Sequence, residues 1–329
     1  MGQESWAPRT FSRGADGRGI GTARRLSENS NLTSQGEVPV HGHNWDLGAL
    51  QLLHWWMVGH GPAILTDIRR SDHKRELVSV YVLSMASTGD HPAAVLLDAG
   101  GVFVLPDPDR ILGAFARAEC TVRREVLADA HYRAAVRFGT HVDVEADWSE
   151  AWLDYLQTYV AECGVPKDWR EEAHRHIDSE FADAALWVEP VPTSREGLQA
   201  LADTGVRLGI VSNADGLMAQ RLAQLELCQV GPGVGVEVEC VIDSGNVGVM
   251  KPDPRIFEAA VDLLGLQVEQ VWYVGDMPAI DVVGARRAGI RPFLMDPLGL
   301  HLDASYERVP SLAALADLIT SSSSRRPPK

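Results

Sequence analysis

Ala93-Ala94-Val95-Leu96-Leu97-Asp98-Ala99-Gly100-Gly101-Val102 carries five apolar residues without alternation into one carboxylate and then into two glycines. An unalternating run of this length, closed by glycine, reads as a strand buried on both faces. Asp98 then stands at the carboxyl end of a central parallel strand, where open α/β sheets place their ligands. Gly100 and Gly101 let the backbone turn sharply and bring its amides close to an anion. Alone, the same residues also read as a strand stopping in a Gly-rich turn with an exposed Asp, so the flanking sequence has to decide.

On the C-terminal side, residues 109–189 read as helices. Ile111, Leu112, Phe115 and Ala116 form one apolar stripe, Val126, Ala130 and Ala134 a second, and Trp152, Tyr155, Leu156 and Tyr159 a third. Trp169 to Ala182 is a charged amphipathic stretch. Four helices inserted after such a strand would form a lid over its end. The stripe of Trp148, Trp152 and Tyr155 reads as bundle core. Asp107 and Asp109, set among Pro106 and Pro108, read as a turn and helix cap.

From Pro190 strands and helices alternate. Thr193-Ser194-Arg195-Glu196 has the pattern of a capping box. Val206 to Val211 is a second buried strand ending in Ser212-Asn213, and Val238 to Ile242 reads as another. Asp253-Pro254 opens a helix that Gly265 stops. Val271 to Gly275 is a strand ending at Asp276, followed by a helix from about Pro278 to Gly289 and a last strand from Arg291 to Met295. This alternation predicts an α/β fold with a doubly wound parallel sheet. The expected organisation is a core of residues 85–108 and 190–320, a helical cap of residues 109–189, and a disordered tail at 321–329.

The first 84 residues fit none of this. Residues 1–44 are rich in Ser, Gly, Arg and Asn without periodicity and read as disordered; His41 and His43 lack further spaced metal ligands. Residues 1–84 hold nine basic and eight acidic side chains, so the whole excess of the net charge of -15 lies in residues 85–329. We expect the folded domain to begin near Met85, with the preceding residues a loose extension or no part of the native protein. Such an acidic surface repels phosphate backbones and anionic bilayers, so neither nucleic acid nor membrane is an expected partner. A phosphorylated substrate would need a local cation. Cys120, Cys163, Cys228 and Cys240 show no metal or disulfide spacing, and no signal sequence or membrane span is legible, so a cytoplasmic protein is expected.

Four polar features fall in order at or beyond strand ends. They are Asp98; Ser212-Asn213; Lys251 in Val249-Met250-Lys251-Pro252-Asp253-Pro254; and Asp276 with Asp281 in Gly275-Asp276-Met277-Pro278-Ala279-Ile280-Asp281. Together they resemble the haloacid dehalogenase-like (HAD) hydrolase superfamily over roughly residues 90–320, in its phosphatase type with a helical cap after the first motif. The resemblance implies a Mg²⁺ site made by Asp98, the Gly100 carbonyl, Asp276 and Asp281, since Mg²⁺ prefers oxygen ligands. It implies that Asp98 is the nucleophile, forming an aspartyl-phosphate, and that Ser212 and Lys251 hold the transferring phosphoryl. Asn213 and the amides near Gly100 and Gly101 would complete the substrate cradle. The implied partner is a small phosphorylated metabolite.

One departure stands out. Most phosphatases of the superfamily carry a second Asp two places after the nucleophile, and here that place is Gly100. Metal binding through a main-chain carbonyl survives this change; general acid/base help, typically worth about 10²–10⁴-fold, does not. The sequence leaves open a slow enzyme or one that prefers good leaving groups, a proton donor such as His131 or Tyr132 from the helical segment, and a catalytically degenerate binding or regulatory protein. His131 also reads as a plain surface or cap histidine. A 2-haloacid dehalogenase-type hydrolase is a further alternative, supported by Ser212-Asn213 and opposed by the Asp276/Asp281 pair.

Overall fold

The computed structural model describes residues 91–138, 148–302 and 304–323. The expectations for residues 1–84, for a start at Met85 and for residues 324–329 lie outside the described residues.

The quoted stretch forms β1 (Ala94–Leu97), with all four side chains buried. A tight turn follows, in which Ala99 O accepts from Phe103 N at 2.8 Å, and the chain enters β2 (Val104–Pro106). Helix α1 (Pro108–Arg117) begins at once: Asp107 caps it, its Oδ1 accepting from Asp109 N at 2.8 Å, with proline in the first turn. Helices α2 (Leu127–Phe138), α3 (Ser149–Glu162) and α4 (Arg170–Phe181) follow. The chain returns through β3 (Trp187–Pro190), antiparallel to β2. This short pair was not legible in the sequence because three or four residues carry too little periodicity. The four helices share one apolar cluster. Trp152 stacks on Tyr155 with ring centroids 5.0 Å apart, and Phe138 meets both Trp148 and Trp152 edge-on, so the aromatic stripe is core as expected. Met277 and Ala279, from the far end of the chain, belong to the same cluster.

Beyond β3 come α5 (Ser194–Asp203) and β4 (Arg207–Ser212). The capping box expected at Thr193 does not form: Thr193 has a φ of 66° and makes no side-chain cap bond, whereas an N-cap needs an extended backbone to aim its hydroxyl at the first turn. Next are α6 (Met218–Gln224), β5 (Cys228–Val230), β6 (Val236–Val238), β7 (Cys240–Asp243) and α7 (Ser244–Val247). The single strand expected over Val238 to Ile242 is broken at Glu239. Val236 and Val238 bury into the cluster on one side of the sheet and Cys240 and Ile242 into the other.

Helix α8 (Pro254–Leu264) has Asp253 as its cap, accepting from Arg255 N at 3.0 Å, and ends at Gly265 with a φ of 63°. Then come β8 (Val271–Gly275), a π-helical turn (Pro278–Val282), α9 (Val283–Arg287), β9 (Arg291–Met295), β10 (Glu307–Val309) and α10 (Leu312–Ser323). β10 lies beyond the last strand expected from the sequence, and its three residues are too few to show a period. Likewise α10 runs through Ser323, past the expected start of a tail at 321; within it the Ser321 and Ser322 hydroxyls bond the carbonyls of Asp317 and Leu318, four residues back.

Six strands form one sheet in the order β10-β9-β8-β1-β4-β7, all pairs parallel. Alternate residues of β1 serve opposite faces. Val95 and Leu97 pack with Leu198 and Leu201 of α5 and Leu312 and Leu315 of α10, while Ala94 and Leu96 pack with Ile256, Phe257 and Ala260 of α8. Burying one large aliphatic side chain fully is worth about 1.5–3 kcal/mol, so the run on both faces fixes β1 in the middle. From β1 the chain winds out through β4 and β7, then crosses back to β8. The order reverses beside β1, and in such sheets the crevice at that switch point takes the ligand.

Candidate active site

Asp98, Ser212 and Asp276 stand at the carboxyl ends of β1, β4 and β8, three adjacent parallel strands. Asp98 follows Leu97 directly. Its Oδ1 accepts the Ala99 amide at 2.7 Å and its Oδ2 lies 2.7 Å from Lys251 Nζ. Lys251 is 1 % exposed and also donates to Asp281 Oδ1 at 2.8 Å and to the Tyr273 hydroxyl at 2.9 Å. Tyr273 donates in turn to Asp281 Oδ1 at 2.7 Å. The π-helical turn aims Asp281 back at the strand end, where its Oδ2 accepts the Met277 amide at 2.9 Å. Asp98, Asp276 and Asp281 each bring one carboxylate oxygen within 4.8 Å of the others, all buried.

Two glycines make this convergence possible. A Cβ on Gly101, whose φ is +64°, would lie 2.3 Å from Asp276 Cγ, and a Cβ on Gly275 would lie 2.2 Å from Asp281 Cγ. No side chain fits at either place.

The electrostatics suit a cation. The Asp98 carboxyl is pushed up to about 7: burial raises it most, the Lys251 ammonium opposes that rise, and the carboxylates of Asp281 and Asp276 add to it. Burial alone would lower Lys251, but the carboxylates of Asp281 and Asp98 outweigh it and hold the ammonium above its ordinary range. Three buried carboxylates against one buried lysine leave negative charge that a hard, oxygen-seeking cation would balance. The donor set therefore fits Mg²⁺.

The remaining expected residues fall as follows. Ser212 is buried at the end of β4, opposite Asp243 of β7. Both ends of the Asn213 amide go to the Lys251 backbone, Oδ1 accepting from its N at 2.7 Å and Nδ2 donating to its O at 3.0 Å; that side chain positions the lysine loop. The Gly101 amide is already bonded to Val104 O at 2.9 Å inside the turn, so it is not offered to an anion. A Cβ on Gly100 would lie 3.3 Å from Trp187 Cζ3, which means that the indole borders the place where a second aspartate would project.

Three side chains beside the site are not marked out by the sequence pattern. Tyr273 lies within the apolar strand run, and only its hydroxyl betrays a polar task. Asp243 is 1 % exposed and accepts the amides of Gly216 and Met218, holding the loop after β4. His131 is not a surface residue: it is 0 % exposed, with Nε2 2.9 Å from Asp276 Oδ2 and Nδ1 2.8 Å from the Tyr155 hydroxyl. The next residue, Tyr132, donates to Gly101 O at 3.0 Å.

A family model described as haloacid dehalogenase-like hydrolase matches residues 92–289, the span that contains every group above. The chain belongs to the haloacid dehalogenase-like hydrolases. Among curated proteins, this HAD hydrolase is 45 % identical to phosphoserine phosphatase of Thermus thermophilus over 196 residues, covering 56 % of this chain and 76 % of that protein. It is 30 % identical to glyceraldehyde 3-phosphate phosphatase of Methanopyrus kandleri over 183 residues, covering 50 % of this chain and 74 % of that one. Among solved structures, a HAD phosphatase from Thermococcus onnurineus aligns over 69 % of this chain and 97 % of its own, at 19 % identity and a TM-score of 0.41. No helix among the described residues is long and apolar enough to cross a membrane. All four cysteines are free, and burial pushes the Cys163 and Cys228 thiols up to about 12.

Proposed function

We propose that this HAD hydrolase is a Mg²⁺-dependent phosphomonoester phosphatase acting on a small phosphorylated metabolite through a covalent phosphoryl-Asp98. The observation that carries the reading is the Lys251 ammonium 2.7 Å from Asp98 within a set of three buried carboxylates at the end of the central strand. Phosphoserine and glyceraldehyde 3-phosphate, named for two of its relatives, indicate the size and charge of substrate.

Asp98, Asp276, Asp281 and the main-chain carbonyl of Gly100 are the groups that would hold Mg²⁺. Bound there, the ion would screen the phosphate charge and polarise its oxygens. The Asp98 carboxylate attacks phosphorus, the bond from phosphorus to the ester oxygen breaks, and the alcohol portion leaves with the electron pair. Lys251 balances charge on the transferring phosphoryl, and the Ser212 hydroxyl hydrogen-bonds it. Asn213 keeps the Lys251 backbone in place. Water then hydrolyses the acyl phosphate, returning the Asp98 carboxylate and releasing inorganic phosphate. Helices α1 to α4 act as a cap over the six-stranded sheet and the helices packed on it. Buried, unpaired thiols agree with a reducing, cytoplasmic setting.

Hydrolysis of p-nitrophenyl phosphate tests this reading. The expected result is Mg²⁺-dependent turnover that disappears with chelator and in Asp98→Asn. Chloride release from 2-haloacids without phosphatase activity would point instead to the dehalogenase alternative. Gly100 favours the degenerate-binder alternative, and absence of turnover on any phosphoester with Mg²⁺ still bound would establish it.

A further inference from the structure

Two of the three clustered carboxylates are held by the sheet and its own loops. Asp98 has Ala99 N and Lys251, and Asp281 has Lys251, Tyr273 and Met277 N. Asp276 is different. Among the described residues its carboxylate has a single side-chain hydrogen bond, and that bond comes from His131 of α2, in the helical segment.

The imidazole is itself fixed. A carboxylate oxygen accepts, so Nε2 is the donor toward Asp276, and on the neutral ring Nδ1 is an acceptor. Tyr155 of α3 supplies the donor. Burial holds its hydroxyl far above the range in which it would ionise, so the O–H is present at every working pH. The chain therefore runs Tyr155 O–H to Nδ1 and Nε2–H to Asp276 Oδ2, at 2.8 and 2.9 Å. The ring is also wedged edge-on against Tyr132 and Trp187, with centroids 5.1 and 5.5 Å away. A buried histidine needing only satisfied nitrogens could have used backbone carbonyls of its own layer. This one spans from the helical segment to the carboxylate cluster.

We propose that His131 is a positioning residue for the metal site: with Tyr155 behind it, it fixes the Asp276 carboxylate, so divalent-cation affinity depends on two helices outside the sheet. The inference rests on the Mg²⁺ reading above. Groups that orient metal ligands in this way typically affect affinity by 10–100-fold. Loading of the site and packing of α2 and α3 against the core are then thermodynamically coupled, because whatever displaces His131 releases Asp276.

Calorimetric titration of the full chain with Mg²⁺, in the absence of substrate, tests the proposal. His131→Phe keeps a ring and removes the donor, and is expected to weaken Mg²⁺ binding by about tenfold or more. His131→Gln, whose amide reaches the Nε2 position, should stay within a few-fold of wild type, whereas His131→Asn, whose amide ends near Nδ1, should behave like the Phe variant. Tyr155→Phe should give a smaller loss in the same direction. The Asn and Gln pair keeps the test decisive if the Phe variant does not fold, since both are polar and they differ in reach. Melting temperatures in chelator should differ less among the variants than the Mg²⁺-induced rise does. Asp98→Asn separates the two readings. Loss of binding there, with His131→Phe and His131→Asn binding within twofold of wild type, would overturn the role of His131 and leave the metal site standing. No Mg²⁺ binding by the wild type would overturn both.

Discussion

The Lys251 ammonium lies 2.7 Å from Asp98 Oδ2 and 2.8 Å from Asp281 Oδ1, and it is 1 % exposed. Asp98 follows β1 and Asp281 sits in the π-helical turn after β8, so one lysine joins the proposed nucleophile to a proposed metal ligand. Lys251→Met keeps most of the volume and removes the charge. We expect phosphatase turnover to fall by about 10²–10³-fold, the usual cost of losing one charge-stabilising donor. Without divalent ions the variant should also lose roughly 3–5 kcal/mol of stability, because breaking a buried ion pair leaves its partners uncompensated. Denaturant unfolding in chelator measures the second effect, and equal midpoints for variant and wild type would contradict it.

Gly100 and Trp187 set the second expectation. With no carboxylate at position 100, departure of a poor leaving group lacks an acid in its usual place. Wild-type rates should therefore fall steeply from aryl to alkyl phosphates as the leaving-group pKa rises. Gly100→Asp alone should recover little, since its Cβ would meet the indole at 3.3 Å. Gly100→Asp combined with Trp187→Ala should raise turnover of alkyl phosphates by about 10²-fold or more relative to aryl ones, in the range of general acid help. Equal wild-type rates on both classes would mean that another group delivers the proton.

Much of this site is legible in the sequence, for a simple physical reason. A parallel strand buried on both faces must be apolar throughout, so a carboxylate or serine at its end interrupts the pattern visibly, as Asp98, Ser212 and Asp276 do. Asp253-Pro254 and Gly265 mark α8 equally plainly, since cap chemistry is local. What stayed hidden depends on contacts distant in sequence. Nothing around His131 announces Asp276, which lies 145 residues away. Tyr273 sits in register with buried neighbours and declares its role only through a hydroxyl. Thr193 shows the opposite failure: a local capping pattern was present, and the return from β3 put its backbone where the cap could not form.

The Asp98 carboxyl also predicts a pH dependence. Burial, the largest cause, opposed by the Lys251 ammonium and joined by the carboxylates of Asp281 and Asp276, raises it from 3.8 to about 7, so between these values the folded state holds a proton that the unfolded chain has released. Its contribution to stability is thus fully present below about pH 4 and is lost as the pH rises through about 7. In chelator, the melting temperature of Asp98→Asn minus that of wild type should grow from pH 5 to pH 8. Mg²⁺ should shrink the difference at pH 8 by stabilising the ionised carboxylate of the wild type. A difference independent of pH would show that Asp98 titrates in its ordinary range.

Gly101 allows the steric basis of the site to be tested apart from backbone strain. Gly101→Ala would force a side chain into a left-handed backbone and set its Cβ 2.3 Å from Asp276 Cγ. Gly205 has a comparable φ of +83°, but nothing lies within 4 Å of an added Cβ. Both alanine variants suffer the strain of a positive φ, which costs roughly 1 kcal/mol or more. Only Gly101→Ala must also move Asp276. We therefore expect both variants to melt below wild type, with Mg²⁺ affinity and turnover falling at least tenfold in Gly101→Ala and staying at wild-type level in Gly205→Ala. The split matters because Gly101 offers no free amide to a substrate: its N–H is spent on Val104 O. If Gly101→Ala bound Mg²⁺ as well as wild type, the close approach of this turn to Asp276 would have no part in holding the cation.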